Sequence, residues 1–275
     1  MKPTDHSKPI ALVTGASSGI GAIYADRLAK RGHDLILVAR DVAKLSALAE
    51  RIRSESGRHV ELLPADLTAK DDLRRVEQRL LSDDRIELLV NNAGVGATSA
   101  LIDSDPDRLE DMIQLNVTAL ARLTRAVAVG MARRGKGAII NIASIVAVAP
   151  ELLNGTYGGS KAFVLAFTQS LHHELGPKGI RVQAVLPGAT STDFWNVAGT
   201  PVEHLPGEIV MRAEEMVDAA LAGFDQGELA TIPSLPDLGE WERFDAARKA
   251  LGPNLSRSHA AQRYQAATAH VLEAA

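Results

Sequence analysis

A repeated alternation of short apolar runs with amphipathic stretches limits this chain to few folds. The runs are "IALVTG" (Ile10–Gly15), "DLILVAR" (Asp34–Arg40), "HVELLPAD" (His59–Asp66), "IELLVNNAG" (Ile86–Gly94), "GAIINIAS" (Gly137–Ser144) and "IRVQAVLPG" (Ile180–Gly188). Several are apolar almost throughout, as parallel strands covered on both faces must be. Between them, Leu45, Leu48, Ala49 and Ile52 recur at helical spacing. Leu73, Val76, Leu80 and Leu81 do much the same, with charges on the opposite face. Such alternation predicts an α/β fold, a doubly wound parallel sheet with helices on both faces.

No linker or internal repeat interrupts the pattern, so the expectation is a single domain over all 275 residues. From about Ser191 prolines appear and the periodicity weakens, which places a lid at about 190–215. An amphipathic stretch runs from about Arg212 to Phe224, and an extra helical segment is expected at about 237–275. The acidic run Ser104–Asp111 reads as a helix N-terminus.

Composition excludes several function classes. The net charge is −4 and no basic run stands out, which argues against a nucleic-acid partner. The absence of cysteine excludes disulfides, thiolate metal sites and cysteine nucleophiles. His172 and His173 are adjacent on a helix and point about 100° apart, so no metal site is expected there. The polar start "MKPTDHSKPI" lacks the apolar core of a signal peptide, and no run reaches membrane length. The expectation is a cytoplasmic protein without a membrane partner.

"VTGASSGIGAIYADRLAKRG" follows the first strand and opens a helix. Gly15, Gly19 and Gly21 permit a tight turn and let a pyrophosphate approach backbone N–H groups at a helix N-terminus. In the NAD form of such sites an acid at the end of strand two bonds the ribose 2′-hydroxyl. Here Ala39 stands at that place and Arg40 follows, a guanidinium suited to a 2′-phosphate. Asp41 is either a ribose-reading acid one place late or the N-cap of the next helix.

"YGGSK" (Tyr157–Lys161) sets a tyrosine and a lysine one helical turn apart. An ammonium about 4 Å from a phenolate is worth about 4 kcal/mol at an effective dielectric near 20. Lys161 is therefore expected to lower the Tyr157 pKa toward the range of a proton shuttle. Ser144, ending a strand, is placed to hold a substrate oxygen. Gly158 and Gly159 either open the helix start to substrate or belong to a preceding loop.

With these motifs in order over roughly Ile10 to Thr192, the chain resembles a short-chain dehydrogenase/reductase of the compact, single-domain branch. The matching pieces are "TGASSGIG", "ADL" (Ala65–Leu67), "NNAG" (Asn91–Gly94), Asn116 in "LNV", Ser144, "YGGSK" and "PGATST" (Pro187–Thr192). The resemblance implies a Rossmann-type sheet and a hydride transfer between NADP(H) and a carbonyl compound or secondary alcohol. It implies the catalytic set Asn116, Ser144, Tyr157 and Lys161, with Asn116 holding a water that relays protons to Lys161. The cofactor would be bound by Gly15, Ser17, Ser18, Gly19, Ile20 and Gly21, by Arg40, Asp66 and Leu67, and by Asn92, Ala93 and Gly94. Tyr157, Lys161, Pro187, Gly188, Thr190 and Thr192 would hold its nicotinamide half. A homodimer or homotetramer is implied, commonly through helices around 109–133 and 157–175. The same scaffold also carries epimerases, dehydratases and non-catalytic nucleotide sensors. Val95, Val146, Leu152, Leu153, Phe194, Trp195 and Met211 form an expected apolar substrate lining. Gly158, Gly159 and Thr190 depart from the usual pattern.

Overall fold

A computed structural model describes residues 8–264. The chain divides into two units, Met1–Pro233 and Ser234–Ala275. The boundary falls in "ATIPSLPDLGE", where prolines interrupt the periodic pattern.

In the first unit the six apolar runs become strands β1 (Ile10–Thr14), β2 (Asp34–Ala39), β3 (Val60–Pro64), β4 (Ile86–Asn91), β5 (Gly137–Ile142) and β6 (Ile180–Val185). Three two-residue strands follow: β7 (Thr190–Ser191), β8 (Met211–Arg212) and β9 (Ala230–Thr231). Seven of these form one parallel sheet in the order β3-β2-β1-β4-β5-β6-β9, and β7 pairs with β8 separately. The sequence showed no signal for the last three, which are too short to carry a period.

Helices α1 (Gly19–Lys30), α2 (Val42–Ser56), α3 (Lys70–Ser82), α4 (Pro106–Ile113), α5 (Leu120–Arg134), α6 (Gly155–Leu175), α7 (Phe194–Ala198) and α8 (Ala213–Gln226) lie in the same unit. Strand side chains alternate between two cores. Ala11, Val13, Leu35 and Leu37 pack with Tyr24, Leu45, Leu48 and Ile52 and with Met216 and Val217 of α8. Leu12, Ile36 and Val38 pack on the other face with Leu73, Val76 and Leu80 and with Leu123 and Val127 of α5. Leu81, expected in that stripe, is instead 39% exposed, because the helical period carries it one step past the buried face.

The chain order reverses between β1 and β4, and ligands of open α/β sheets bind at such a switch point, beyond the carboxyl ends of the strands. The expected lid contains β7, α7 and β8. In the second unit, helix α9 (Leu238–Ala250) buries none of its residues and is followed by a 3-10 turn at Gly252–Asn254. The rest of the expected terminal helical segment, 265–275, lies outside the described residues. No helix among the described residues is long and apolar enough to cross a membrane.

Candidate active site

The loop after β1 is tied to the loop after β4 through Thr14. Its hydroxyl accepts from the Asn92 and Ala93 amides, both at 3.0 Å, and donates to the Val90 carbonyl at 3.2 Å. Asn92 Nδ2 donates back to the carbonyls of Thr14 (2.9 Å) and Gly15 (3.1 Å). A Cβ on Gly15 would stand 2.8 Å from Asn92 Nδ2. A Cβ on Gly21 would overlap the Gly15 carbonyl oxygen. The glycines thus let the two strand-end loops close on each other. Thr14 was not among the expected site residues; the signal for it was a polar residue ending an apolar strand.

Helix α1 begins at Gly19, which adopts φ +51°. Its N-cap, Ser18, makes no side-chain capping bond, and no acid lies in the first turn. The positive end of the helix is therefore left to an anion, with Ser17, Ser18 and Ile20 in partly or fully exposed positions around it. Across the crevice, Thr192 Cγ2 lies 3.1 Å from where a Cβ on Gly19 would be. The "PGATST" segment therefore forms the opposite wall. There the Pro187 carbonyl accepts from the Ile145 amide at 3.0 Å, and Thr190 Oγ1 donates to the Gly188 carbonyl at 3.1 Å.

At the end of β2, the Arg40 side chain is 75% exposed and its Nη1 stands 3.8 Å from Asp66 Oδ2. Asp66 Oδ1 accepts from the amide (2.9 Å) and hydroxyl (2.7 Å) of Thr68, and neighbouring Leu67 is buried. Asp41 caps α2, accepting from the Lys44 amide at 2.9 Å. Of the two readings left open at Asp41, the geometry supports the cap.

The helix bearing Tyr157 starts at Gly155, so Tyr157, Gly158 and Gly159 are helical rather than loop. No sequence pattern pointed to its cap. Buried Asn154 accepts from the amides of Thr156 (2.9 Å) and Tyr157 (3.4 Å) and donates to the Ser99 carbonyl at 2.8 Å. Tyr157 is thereby fixed at the first turn. Gly158 faces Pro150, at 3.4 Å from a notional Cβ, whereas a Cβ on Gly159 would meet nothing within 4 Å. A Cβ at Gly158 would make only ordinary contact with Pro150, so neither glycine is required by packing.

Ser144 Oγ donates to the Pro187 carbonyl at 3.5 Å and accepts from the Val146 amide at 3.3 Å, and it lies close enough to the Tyr157 hydroxyl to pull its pKa down. Lys161 is buried and donates to the Ile142 carbonyl at 2.9 Å. Burial pushes the Tyr157 hydroxyl up to about 12, against a smaller downward pull from Ser144. Burial also pushes Lys161 down to about 8. The expectation that Lys161 lowers the tyrosine is not met in this arrangement. Its ammonium sits over the ring, 5.8 Å from the centroid, and desolvation is the largest influence on both groups.

Asn116 lies in a π-helical segment, Gln114–Ala119, of the kind that often marks functional positions. Its carboxamide pairs with the Val95 amide (3.0 Å) and carbonyl (2.9 Å) and donates to Ser160 Oγ at 3.0 Å. A Cβ on Gly94 would stand 3.0 Å from Asn116 Oδ1 and 3.5 Å from Lys161 Nζ. Asn116, Gly94 and Lys161 are thus brought together.

The apolar lining divides. Val95, Val146, Leu153 and Phe194 gather around Tyr157 with Met112. Met211 packs instead into the α1–α8 core, and Leu152 is 56% exposed. Trp195 is buried, with Nε1 donating to the Thr190 carbonyl at 3.0 Å. No group of three or more histidines or carboxylates among the described residues is placed to hold a metal ion.

A glycine-lined crevice at the switch point, beside a buried Ser–Tyr–Lys set, defines a dinucleotide-type oxidoreductase site. The family model described as short chain dehydrogenase matches residues 9–201, and the chain belongs to that family. A short-chain dehydrogenase from Sphingobium yanoikuyae, solved in complex with NADPH, is 52% identical, with a TM-score of 0.91 over 93% of this chain and 99% of that one. The bulky-bulky ketone specific alcohol dehydrogenase from Comamonas testosteroni is 48% identical, with a TM-score of 0.86 over 93% and 98% of the two chains. Human 17-beta-hydroxysteroid dehydrogenase type 3 is 37% identical over 215 residues, 77% of this chain and 66% of that protein. The chain thus spans just under two thirds of the length of that curated relative.

Proposed function

We propose that this short-chain oxidoreductase is an NADP(H)-dependent carbonyl reductase or secondary-alcohol dehydrogenase acting on hydrophobic ketones. The observation that carries the reading is the burial of Ser144, Tyr157 and Lys161 together, with Tyr157 inside an apolar collar. Bound at the crevice, the nicotinamide supplies or accepts the hydride at the substrate carbon.

The protein's part is position and proton. The uncapped start of α1 would hold the pyrophosphate, and Arg40 would hold the 2′-phosphate. The Ser144 hydroxyl donates to the substrate oxygen. Tyr157 then delivers its proton to that oxygen as negative charge develops. A phenol raised by burial to about 12 keeps its proton at neutral pH, so the donor form is the one present when a ketone binds. Asn116 holds the strand-end loop at Val95 and so keeps Gly94 against Lys161. The NADPH bound to the Sphingobium enzyme and the ketone specificity named for the Comamonas enzyme support this reading.

Mixing the purified chain with NADPH and a panel of aliphatic and aromatic ketones, and following absorbance of the reduced nicotinamide, tests it. Turnover of at least one hydrophobic ketone is expected. No oxidation of NADPH with any carbonyl, together with no reduction of NADP by alcohols, overturns it.

A further inference from the structure

Phe194, the first residue of α7, points its ring tip at the backbone of Gly96. A Cβ on Gly96 would overlap Phe194 Cζ and stand 3.0 Å from Cε2 and 3.3 Å from Cε1. The space a side chain would fill at position 96 is therefore occupied by the ring. The same ring lies 5.8 Å from the Tyr157 ring, tilted by 45°, and meets Trp195 edge-on at 5.7 Å. Two residues along, the loop grips α7 a second time. The amide and hydroxyl of Thr98 both donate to the Ala198 carbonyl at 3.0 Å, and Thr200 Oγ1 donates to Thr98 Oγ1 at 3.0 Å. The loop after β4 and the lid are thus held in fixed register, with Phe194 seated between Gly96 and the proton donor.

We propose that Gly96 is a notch that seats Phe194 and thereby sets the width of the substrate space beside Tyr157, so that the site selects ketones with large, flat apolar substituents over small ones. This rests on the ketone-reductase reading above and adds the residue pair that decides size. With Val95 held through Asn116 and Ala198 of α7 held through Thr98, a methyl at position 96 displaces the ring tip from the notch, and the ring already adjoins Tyr157 at 5.8 Å. Val95, Val146 and Leu153 are aliphatic, so beside Tyr157 itself Phe194 is the aromatic face of the collar on which a substrate ring can stack.

The test compares wild type, Gly96→Ala, Phe194→Ala and the double variant on a small dialkyl ketone and a diaryl ketone with NADPH. One or two methylenes in an apolar pocket are worth about 10- to 200-fold in discrimination. Gly96→Ala is expected to lower the ratio of kcat/KM for the diaryl over the dialkyl ketone at least ~10-fold. The double variant, with no ring to displace, is expected to recover most of that loss relative to Phe194→Ala. Equal losses on both ketones, or no recovery in the double variant, overturn the proposal.

Equilibrium binding of the same two ketones, read from the fluorescence of Trp195 against that of Trp241, separates this idea from the reading beneath it. Size-dependent binding that Gly96→Ala reverses, without turnover, leaves the notch standing and removes the reductase. Size-independent binding, or no binding of the diaryl ketone to wild type, removes the notch whatever the turnover. If Gly96→Ala fails to fold, Phe194→Ala and Phe194→Leu carry the binding comparison, and unchanged size preference in both overturns the proposal.

Discussion

Lys161 Nζ stands 5.8 Å from the centre of the Tyr157 ring, one turn along the same helix, with both side chains buried. The pair is therefore not an exposed ion-pair arrangement. It is a phenol and an amine removed from water together. Burial holds each in its neutral form over a wider pH range than water does, the phenol up to about 12 and the amine down to about 8.

Tyr157→Phe keeps the ring and its packing on Phe194 but removes the transferable proton. A fall in kcat of at least ~10² is expected, with NADPH binding within a few fold, since general acid–base catalysis contributes about that much. Steady-state kinetics on a ketone that wild type turns over, with cofactor titration alongside, checks both halves. Retention of more than about half the activity would remove Tyr157 from the chemistry.

Lys161→Met separates stability from activity. The lysine is at about 8 in the folded protein, against an ordinary value of 10.5 in an unfolded chain. Between those values the unfolded chain binds more protons, so stability rises with pH. Tyr157 acts in the opposite sense above about 10, where the folded state keeps the proton that the unfolded state loses. Denaturant unfolding as a function of pH should show wild type gaining roughly 3 kcal/mol at most from the lysine. Lys161→Met should lack the rising limb between about 8 and 10 while losing turnover. An identical pH profile in both proteins would show that the ammonium is solvated.

Arg40 is expected to set cofactor preference. One bidentate guanidinium–phosphate contact is worth roughly 1.5–3 kcal/mol, or about 10- to 150-fold in affinity. Arg40→Ala should weaken NADPH far more than NADH. Ala39→Asp with Arg40→Ala should invert the preference. Calorimetric titration of both cofactors decides it, and tighter NADH binding by wild type would count against the assignment.

Tyr24 is fully buried, and its hydroxyl has no hydrogen-bond partner in the structure. An unsatisfied buried hydroxyl costs about 1–3 kcal/mol. Tyr24→Phe should therefore raise the midpoint of thermal unfolding by a few degrees and leave kcat unchanged. A lower midpoint would show that a buried water bonds this hydroxyl.

The outer faces of α5 and α6 carry Val129 (48% exposed) and Phe163 (37%), the latter stacked on Phe167 at 5.4 Å. Association through these helices into a dimer or tetramer is the expected outcome in light scattering at micromolar concentration. A species of only 29.2 kDa would contradict it.

The features legible in the sequence were periodic or local. Six strands, the α2 and α3 stripes and the Asp41 cap could be read because burial on both faces of a parallel sheet leaves apolar runs, and a cap is set by its own neighbours. The glycine loop and the Tyr157–Lys161 spacing were readable for the same reason. The amphipathic α8 and the start of α4 were readable in the same way, whereas the features that follow depended on contacts between residues far apart in the chain. Two-residue β9 exists because β6 offers it an edge. Asn154 caps the helix bearing Tyr157 while holding Ser99, a partner 55 residues away. Met211 turns to the α8 core rather than to the substrate, and Gly96 matters only because Phe194, far along the chain, fills its place. The direction of the Tyr157 pKa also turned on the fold. Spacing brings an ammonium near a phenol, but the depth of burial, a property of all the elements packed around them, decides which protonation state is favoured.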